Sequence, residues 1–449
     1  MRHQRTQAHT ILRDLGDGLI LRRATLDDAE ALATFNAHIF RTAGSEQPNI
    51  GIAAWTEDLL TGDHPACGAD DFTIVEEAST GAIVSSMVLI SQTWTYDGIA
   101  FGVGRPELVG TSPAYRRRGL VRTQFEVLHQ WSAERHERLQ AITGIPWYYR
   151  QFGYEMALNL GSGRVGYQPH IPRLKEGETE PYRIRPVTTA DLPCIAPLVE
   201  HANTRYRVAC VRDAALWHYE AFGKREQNTT HAVVCLIDAA DGDSVGFLAH
   251  PARLFGSMQV AWVYELQPGV SWAAVTPSVI RYLHTVGEAY AARDQGECGA
   301  FGFWLGRTHP LYDAMLSQLP DTRRVYAWYL RVPDLPGFLR HVAPALERRL
   351  ATSVVAGYTG EVKLSFYRSG LRLAFHHGRL QAAEAWTPTP DERGSAAFPD
   401  LTFLQLLFGY RTLEELRYAF ADCWVEHAAT HAVLEALFPR QDSDVWPIA

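Results

Sequence analysis

Apolar positions follow two rhythms along this chain, and the change between them marks its most informative stretch. Residues 107–111 form an apolar run that reads as a strand, and Pro113 stops it. An arginine-rich turn follows. From Gly119 onward Val121, Phe125 and Leu128 fall at i, i+4 and i+7, and Leu120, Val127 and Trp131 widen the same stripe, which predicts an amphipathic helix ending near Arg138. Upstream, 19–24 reads as a short strand, and Thr25 caps a helix to about Phe40, with Asp27 and Asp28 in its first turn. Residues 72–75 and 83–90 read as strands around the turn Ser79-Thr80-Gly81, and 92–101 continue the sheet. Beyond the helix come a strand at 141–143, the aromatic run Trp147-Tyr148-Tyr149-Arg150-Gln151-Phe152-Gly153-Tyr154, and a last strand from Glu155, with Gly153 placed to end a short helix.

The chain then starts again. Residues 161–181 are rich in glycine and proline and read as irregular linker. After them Ile184-Arg185-Pro186-Val187-Thr188-Thr189-Ala190-Asp191 repeats Leu21-Arg22-Arg23-Ala24-Thr25-Leu26-Asp27-Asp28: strand, threonine cap, acid in the first turn. Strands are expected at 231–238, 244–250 and 260–266 and a helix at about 278–292. Where an arginine-rich turn should recur, 267–273 contains no arginine. From Asp334 the pattern changes once more. A helix over 336–350 has Pro344 placed to kink or split it, and 360–367, 370–376 and 379–384 make a hairpin-like meander before helices at 403–409, 413–420 and 431–437.

Bulk properties narrow the class. With 449 residues the chain exceeds one ordinary core, and 47% hydrophobic and 20% charged residues describe a globular protein. The formal net charge of -8 argues against a general nucleic-acid binder, and no apolar run approaches a membrane span. Six scattered cysteines contain no Cys-x-x-Cys, and residues 1–17 read as a loose polar tail without a secretory core; a reduced, cytoplasmic setting is the expectation. His427 and His431 stand one helical turn apart without a third ligand, so no metal is expected.

Strand, basic glycine-bearing turn, then helix is a layout that binds phosphate, because unpaired N–H groups and the helix dipole meet at the turn. Neither Gly-x4-Gly-Lys-Ser/Thr nor Gly-x-Gly-x-x-Gly is present. Arg116-x-x-Gly119-x-Val121 instead resembles the pyrophosphate loop of GNAT acetyltransferases, departing at Val121 where glycine or alanine is usual. Tyr149-x-x-Phe152-Gly153-Tyr154 is similar to the element that closes that fold. With the repeat and the final domain, the chain resembles the Eis-type aminoglycoside/lysine N-acetyltransferases over about residues 14–449.

The resemblance implies an α/β (α+β) fold of tandem GNAT units: a catalytic unit at 18–165, a linker at 166–181, a degenerate unit lacking the cofactor loop at 182–332, and a sterol-carrier-like α+β domain at 333–449. It implies acetyl-CoA as co-substrate and acetyl transfer to an amine, whether a small molecule or a peptide. The backbones of Val109, Gly110 and Thr111 would hold the pantetheine arm, and Arg117, Arg118, Gly119, Leu120, Val121 and Arg122 the pyrophosphate, with Gly144 and Ile145 as cofactor wall. Tyr149 matches the family's general acid; a tyrosine of ordinary pKa near ~10 is protonated at neutral pH and can give its proton to the departing thiolate. The Ala449 carboxylate stands for the family's terminal base, and Trp55 for an aromatic wall of the amine pocket. A homo-oligomer, hexameric in the family, is also implied. The competing reading is a non-catalytic protein using the third unit for an apolar ligand.

Overall fold

The computed structural model describes residues 10–42 and 44–447. Its first unit is one large, mainly antiparallel sheet: β1 (Ile11–Gly16), β2 (Leu19–Arg23), β3 (Phe72–Glu77), β4 (Ala82–Tyr96), β5 (Ile99–Thr111), β6 (Leu139–Ile142) and β7 (Glu155–Leu160). Alternation along the strands divides their side chains between two helical layers. Val75, Met87 and Leu89 pack with Phe125, Leu128 and Trp131 of α3 (Leu120–Glu134). Ile74, Val88 and Ile90 face the other way, onto Leu32 of α1 (Ala29–Ile39) and Trp55, Leu59 and Leu60 of α2 (Ile50–Thr61).

The expected loose tail fails over Ile11–Gly16, which pairs antiparallel with β2 as the sheet's edge strand. Asp17 (φ 50°) and Gly18 (φ 73°) form the connecting turn, the Asp-Gly pair that two positive φ values favour. Its mostly exposed side chains hide the strand from pattern reading. Residues 1–9 lie outside the described part.

The second unit follows with β8 (Gly163–Tyr167), β9 (Tyr182–Pro186), α4 (Leu192–Asn203), β10 (Val208–Cys210), α5 (Ala214–His218), β11 (Ala232–Ala239), β12 (Ser244–Pro251), β13 (Met258–Ala261), β14 (Val263–Leu266), α6 (Trp272–Asp294), β15 (Ala300–Phe303), α7 (Pro310–Ala314), β16 (Asp321–Arg323) and β17 (Tyr326–Arg331). The expected strand at 260–266 is two strands in two sheets, parting at Trp262: β13 pairs with β15 and β14 with β12. The helix expected from 278 begins at Trp272, capped by Ser271, and carries Pro277 within its first turns.

The repeat extends to side-chain contacts. Arg22 binds Asp28 and Glu76, and the Asp28 carboxylate accepts the Thr25 N–H at 2.8 Å. Arg185 binds Asp191 and Asp238, and Asp191 accepts the Thr188 N–H at 2.8 Å. Both units also exchange a strand. β8 pairs with β15 and β16 in the second unit, and β17 inserts between β6 and β7 of the first. The expected boundaries are corrected accordingly. A linker at 166–181 begins inside β8, and the unit at 182–332 ends with a strand that belongs to the first sheet. Nothing local in a sequence reports such an exchange.

In the third unit the proline divides the expected helix into α8 (Leu335–His341) and α9 (Ala343–Ala351). β18 (Gly360–Ser365), β19 (Gly370–His376) and β20 (Arg379–Trp386) form the meander, and α10 (Phe403–Leu407), α11 (Leu413–Ala419) and α12 (Ala428–Leu437) follow. Its core is continuous with the first unit: Phe338, Leu346, Leu364 and Leu406 share a cluster with Trp94, Phe101, Val103 and Trp328. Among the described residues no helix is long and apolar enough to cross a membrane.

Candidate active site

β5 and β6 run parallel but pair only at Val103–Leu139 and Gly104–Gln140. Beyond Gly104 the two strands part, β5 keeping its register with β4 and β6 with β17. A bulge sharpens the split: Ser86 opposes Gly110 while Val88 opposes Glu107, and Leu108 takes φ 51°. An extra residue in one strand re-aims the backbone where it sits. Two cavities border this fork, one lined by Val109 and Ile145, the other by Glu107 and Thr143.

The first cavity is a groove of about 750 Å³ bordered by Val109, Gly110 and Thr111 on one side and Arg117, Gly119 and Arg122 on another. Its floor is a helix start of unusual openness. Arg117 (φ 64°) and Gly119 (φ 79°) turn the chain, no side chain caps the N-terminus of α3, and a Cβ at Gly119 would meet nothing within 4 Å. The first N–H groups of α3 are therefore available to an anion, with arginine charge beside them. Leu120, Val121 and Ile145 line the same groove, and Arg122 bonds Gln151 at 3.2 Å and lies over the Phe152 ring. Arg118 departs from its expected place. It pairs with Asp17 at 3.0 Å and borders a separate small cavity with Leu15 and Leu19, so the β1–β2 turn draws it off the groove. Arg116, not assigned to the cofactor from sequence, faces the groove and donates from Nε to the Thr111 carbonyl at 3.3 Å.

Tyr149 sits on a short 3-10 turn, Tyr148–Phe152, ended by Gly153 at φ 84°. Its ring is packed among Phe125, Tyr148 and Tyr329. Burial, then the nearby Glu107 charge, raise its hydroxyl well above the ordinary tyrosine value, so the proton stays on at any physiological pH. The hydroxyl would lie 3.6 Å from a Cβ at Gly144, whose φ of 118° admits only glycine without strain. The strand exchanged from the second unit holds this segment in place. Tyr326 donates to the Gly144 carbonyl at 2.6 Å, and Tyr329 accepts the Trp147 N–H at 2.5 Å and donates to the Ile145 carbonyl at 3.2 Å.

Glu107 is the functional candidate that sequence reading missed. Its carboxyl is buried, ion-paired to the fully buried Arg105, and pushed up to about 7 by burial against the pull of that arginine. It borders the second cavity. The available signal was an acid inside an otherwise apolar strand, which is costly unless paired or used.

The second cavity, about 590 Å³, draws walls from all three units: Trp55, Trp262, Trp304, Tyr326 and Trp446 among the aromatics. Trp55 lines this cavity, and among the described residues its buried indole N–H has no partner. The chain's last described residues, Val445, Trp446 and Pro447, line this cavity; Ala449 lies outside the described residues. Among the described residues, no group of three His, Cys, Asp or Glu side chains is placed to hold a metal ion.

Residues 21–157 match the acetyltransferase (GNAT) domain family. A search of curated proteins finds no match. Similar solved structures span nearly the whole chain. A conserved protein of unknown function from Enterococcus faecalis V583, described as a probable N-acyltransferase, is 14% identical with TM-score 0.64, covering 95% of this chain and 98% of that one. A GCN5-related N-acetyltransferase from Anabaena variabilis ATCC 29413 is 15% identical, with TM-score 0.61 and coverage of 95% and 99%. Eis1 from Mycobacterium abscessus is 12% identical, with TM-score 0.57 and coverage of 98% and 99%. At such identities the likeness is one of fold. The chain thus carries a GNAT acetyltransferase domain in residues 21–157, set within a mixed α/β fold shared along its length with GCN5-related N-acetyltransferases.

Proposed function

We propose that this protein is an acetyl-CoA-dependent N-acetyltransferase of the Eis type, acting on a primary amine. The observation that carries the reading is a pair of cavities bordering the β5–β6 fork, one lined by Val109 and Ile145 and the other by Glu107 and Thr143. The groove suits the donor: strand backbone at Val109, Gly110 and Thr111 for the pantetheine arm, and the open start of α3 with Arg117 and Arg122 for the pyrophosphate. Arg118 has a smaller part, since Asp17 already holds it. The second cavity would take the amine.

Acetyl-CoA supplies a thioester carbonyl, and the protein's residues manage two protons. Glu107, with its carboxyl near neutrality, accepts one from the ammonium so that the neutral amine can attack; a C–N bond forms and the C–S bond breaks. Tyr149 gives its phenolic proton to the departing sulfur, and the proton shed by the nitrogen as it becomes an amide restores the phenol. Backbone N–H groups of the bulged strand near Val109 would face the developing oxyanion. The Ala449 carboxylate is the second candidate for the base, with Val445–Pro447 leading toward the same cavity.

We assign catalysis to the unit at 18–165 with β17 added. The unit at 182–332 reads as a GNAT fold without a cofactor loop, and 333–449 as a sterol-carrier-like domain. The cavity on the third unit, bordered by Lys363, Asp391, Glu392 and Arg393, is charged and offers little to an apolar ligand, which weighs against the non-catalytic reading. A homo-oligomer, hexameric by the same resemblance, is part of the proposal. The test is an amine panel with acetyl-CoA, run with the wild type and Tyr149→Phe. CoA release coupled to amine acetylation, lost in the variant, is expected; no acetylation of any amine would overturn the reading.

A further inference from the structure

The second cavity has a composition that speaks to the acceptor. Its aromatic walls come from Trp55, Phe255, Trp262, Trp304, Tyr326 and Trp446. The polar groups among them carry uneven charge. Glu107 is neutralised by Arg105, and Lys224 is ion-paired with Glu220. Asp444 is the remaining acid, and no hydrogen bond reaches its carboxylate among the described residues. Against it stand Arg323 and Arg324, adjacent on the segment that leads into β17.

Arg323 is built as an anion receptor. Its guanidinium carbon stands over the Trp304 indole, 3.7 Å from the ring centroid, so the ring holds this exposed side chain at the cavity's border. Desolvation alone shifts it, downward, with no carboxylate offsetting the loss among the described residues. Beneath it the Trp304 N–H is buried and unpartnered. A guanidinium held against a ring at the cavity's border, with no acid partner among the described residues, is a place for a carboxylate from outside the chain.

We infer that the acceptor is an amine with an aromatic body and a carboxylate at the end away from the amine, and not a polycation. The aromatic walls take the flat body. The amine reaches Glu107 at the fork, and Arg323, with Arg324 beside it, takes the carboxylate. A polyamine or aminoglycoside would bring several cations against these arginines with only Asp444, already facing the Arg212 and Arg205 charges, to receive them, and like charges repel. This inference rests on the cavity being the amine site of the proposed acetyl transfer.

The experiment is a titration of the full chain by tryptophan fluorescence with 4-(aminomethyl)benzoate, benzylamine and kanamycin, followed by turnover of the same three with acetyl-CoA. 4-(Aminomethyl)benzoate is expected to bind roughly tenfold more tightly than benzylamine, with kanamycin weakest, since one charge-assisted guanidinium–carboxylate pair is worth about that much. Arg323→Ala should bring 4-(aminomethyl)benzoate to the benzylamine level, and Arg323→Lys should restore part of the difference. Equal binding of the first two amines, or tighter binding of kanamycin, overturns the inference. Binding in the expected order without acetylation of any amine would leave the cavity's preference standing and remove the transfer reading, so the two failures are separable.

Discussion

Tyr326, on the strand that the second unit lends to the first, donates a 2.6 Å hydrogen bond to the carbonyl of Gly144, beside which the Tyr149 hydroxyl lies. The fork is thus completed by a residue from beyond the family-matched segment, 182 positions along the chain from its partner. The repeat's second half thus contributes to the candidate site through the strand it lends.

Replacing Tyr326 by Phe removes that bond and keeps the ring. We expect kcat to fall roughly tenfold through loss of positioning, with little change in thermal stability. A steady-state assay beside a melting curve checks it.

Tyr149→Phe removes the proposed proton donor while conserving the packing against Phe125 and Tyr329. A loss of about 10²- to 10³-fold in kcat is expected, with the acetyl-CoA KM little changed. Unchanged turnover would dismiss Tyr149 as the acid.

The pH dependence separates the two candidate bases. A base must be deprotonated to work, so with Glu107 at about 7 the value of kcat/KM should rise as pH increases through that point and fall below it. Glu107→Gln should abolish this limb. If a chain extended beyond Ala449 loses activity and Glu107→Gln retains it, the terminal carboxylate is the base.

Arg117 and Arg122 border the groove, whereas Arg118 is held by Asp17. Arg117→Ala combined with Arg122→Ala should raise the acetyl-CoA KM about tenfold or more, and Arg118→Ala should raise it less than threefold. Acetyl-CoA titration calorimetry on each variant measures the difference directly.

Asp97 joins the three units. It pairs with Arg349 of the third unit and, at 3.5 Å, with the fully buried Arg207 of the second. Both guanidiniums also stand over the Tyr96 ring. Asp97→Asn keeps a residue that tolerates its φ of 47° and removes only the charge, leaving two cations facing each other. Destabilisation of roughly 3 kcal/mol in urea unfolding is expected. An exposed pair such as Arg372–Glu384 should cost under about 1 kcal/mol when broken.

What could be read in the sequence was what is local. The glycine-bearing arginine turn, the tyrosine turn and the Arg-x-x-Thr-x-x-Asp repeat each occupy fewer than about ten residues, and each maps to a compact hydrogen-bonded device. Glu107 escaped because its strand was read for apolar rhythm, and a paired buried acid looks like an interruption of that rhythm. Arg118 was grouped with its neighbours by adjacency, but a positive φ at Arg117 sends the two in different directions. The exchanged strands β8 and β17 and the cavity walls at Trp262, Trp304 and Trp446 depend on contacts over long stretches of chain, which composition and period do not encode.

In the proposed reaction amine and thioester meet at the β5–β6 fork, with Tyr149 as the proton donor. The most direct measurement is a mass-spectrometric count of acetylated amine against CoA released by the purified full chain and by Tyr149→Phe. Equal amounts of the two products from the wild type, with the variant slower by at least about a hundredfold, is the predicted result. CoA release without acetylated amine, or equal rates from both proteins, would contradict the account.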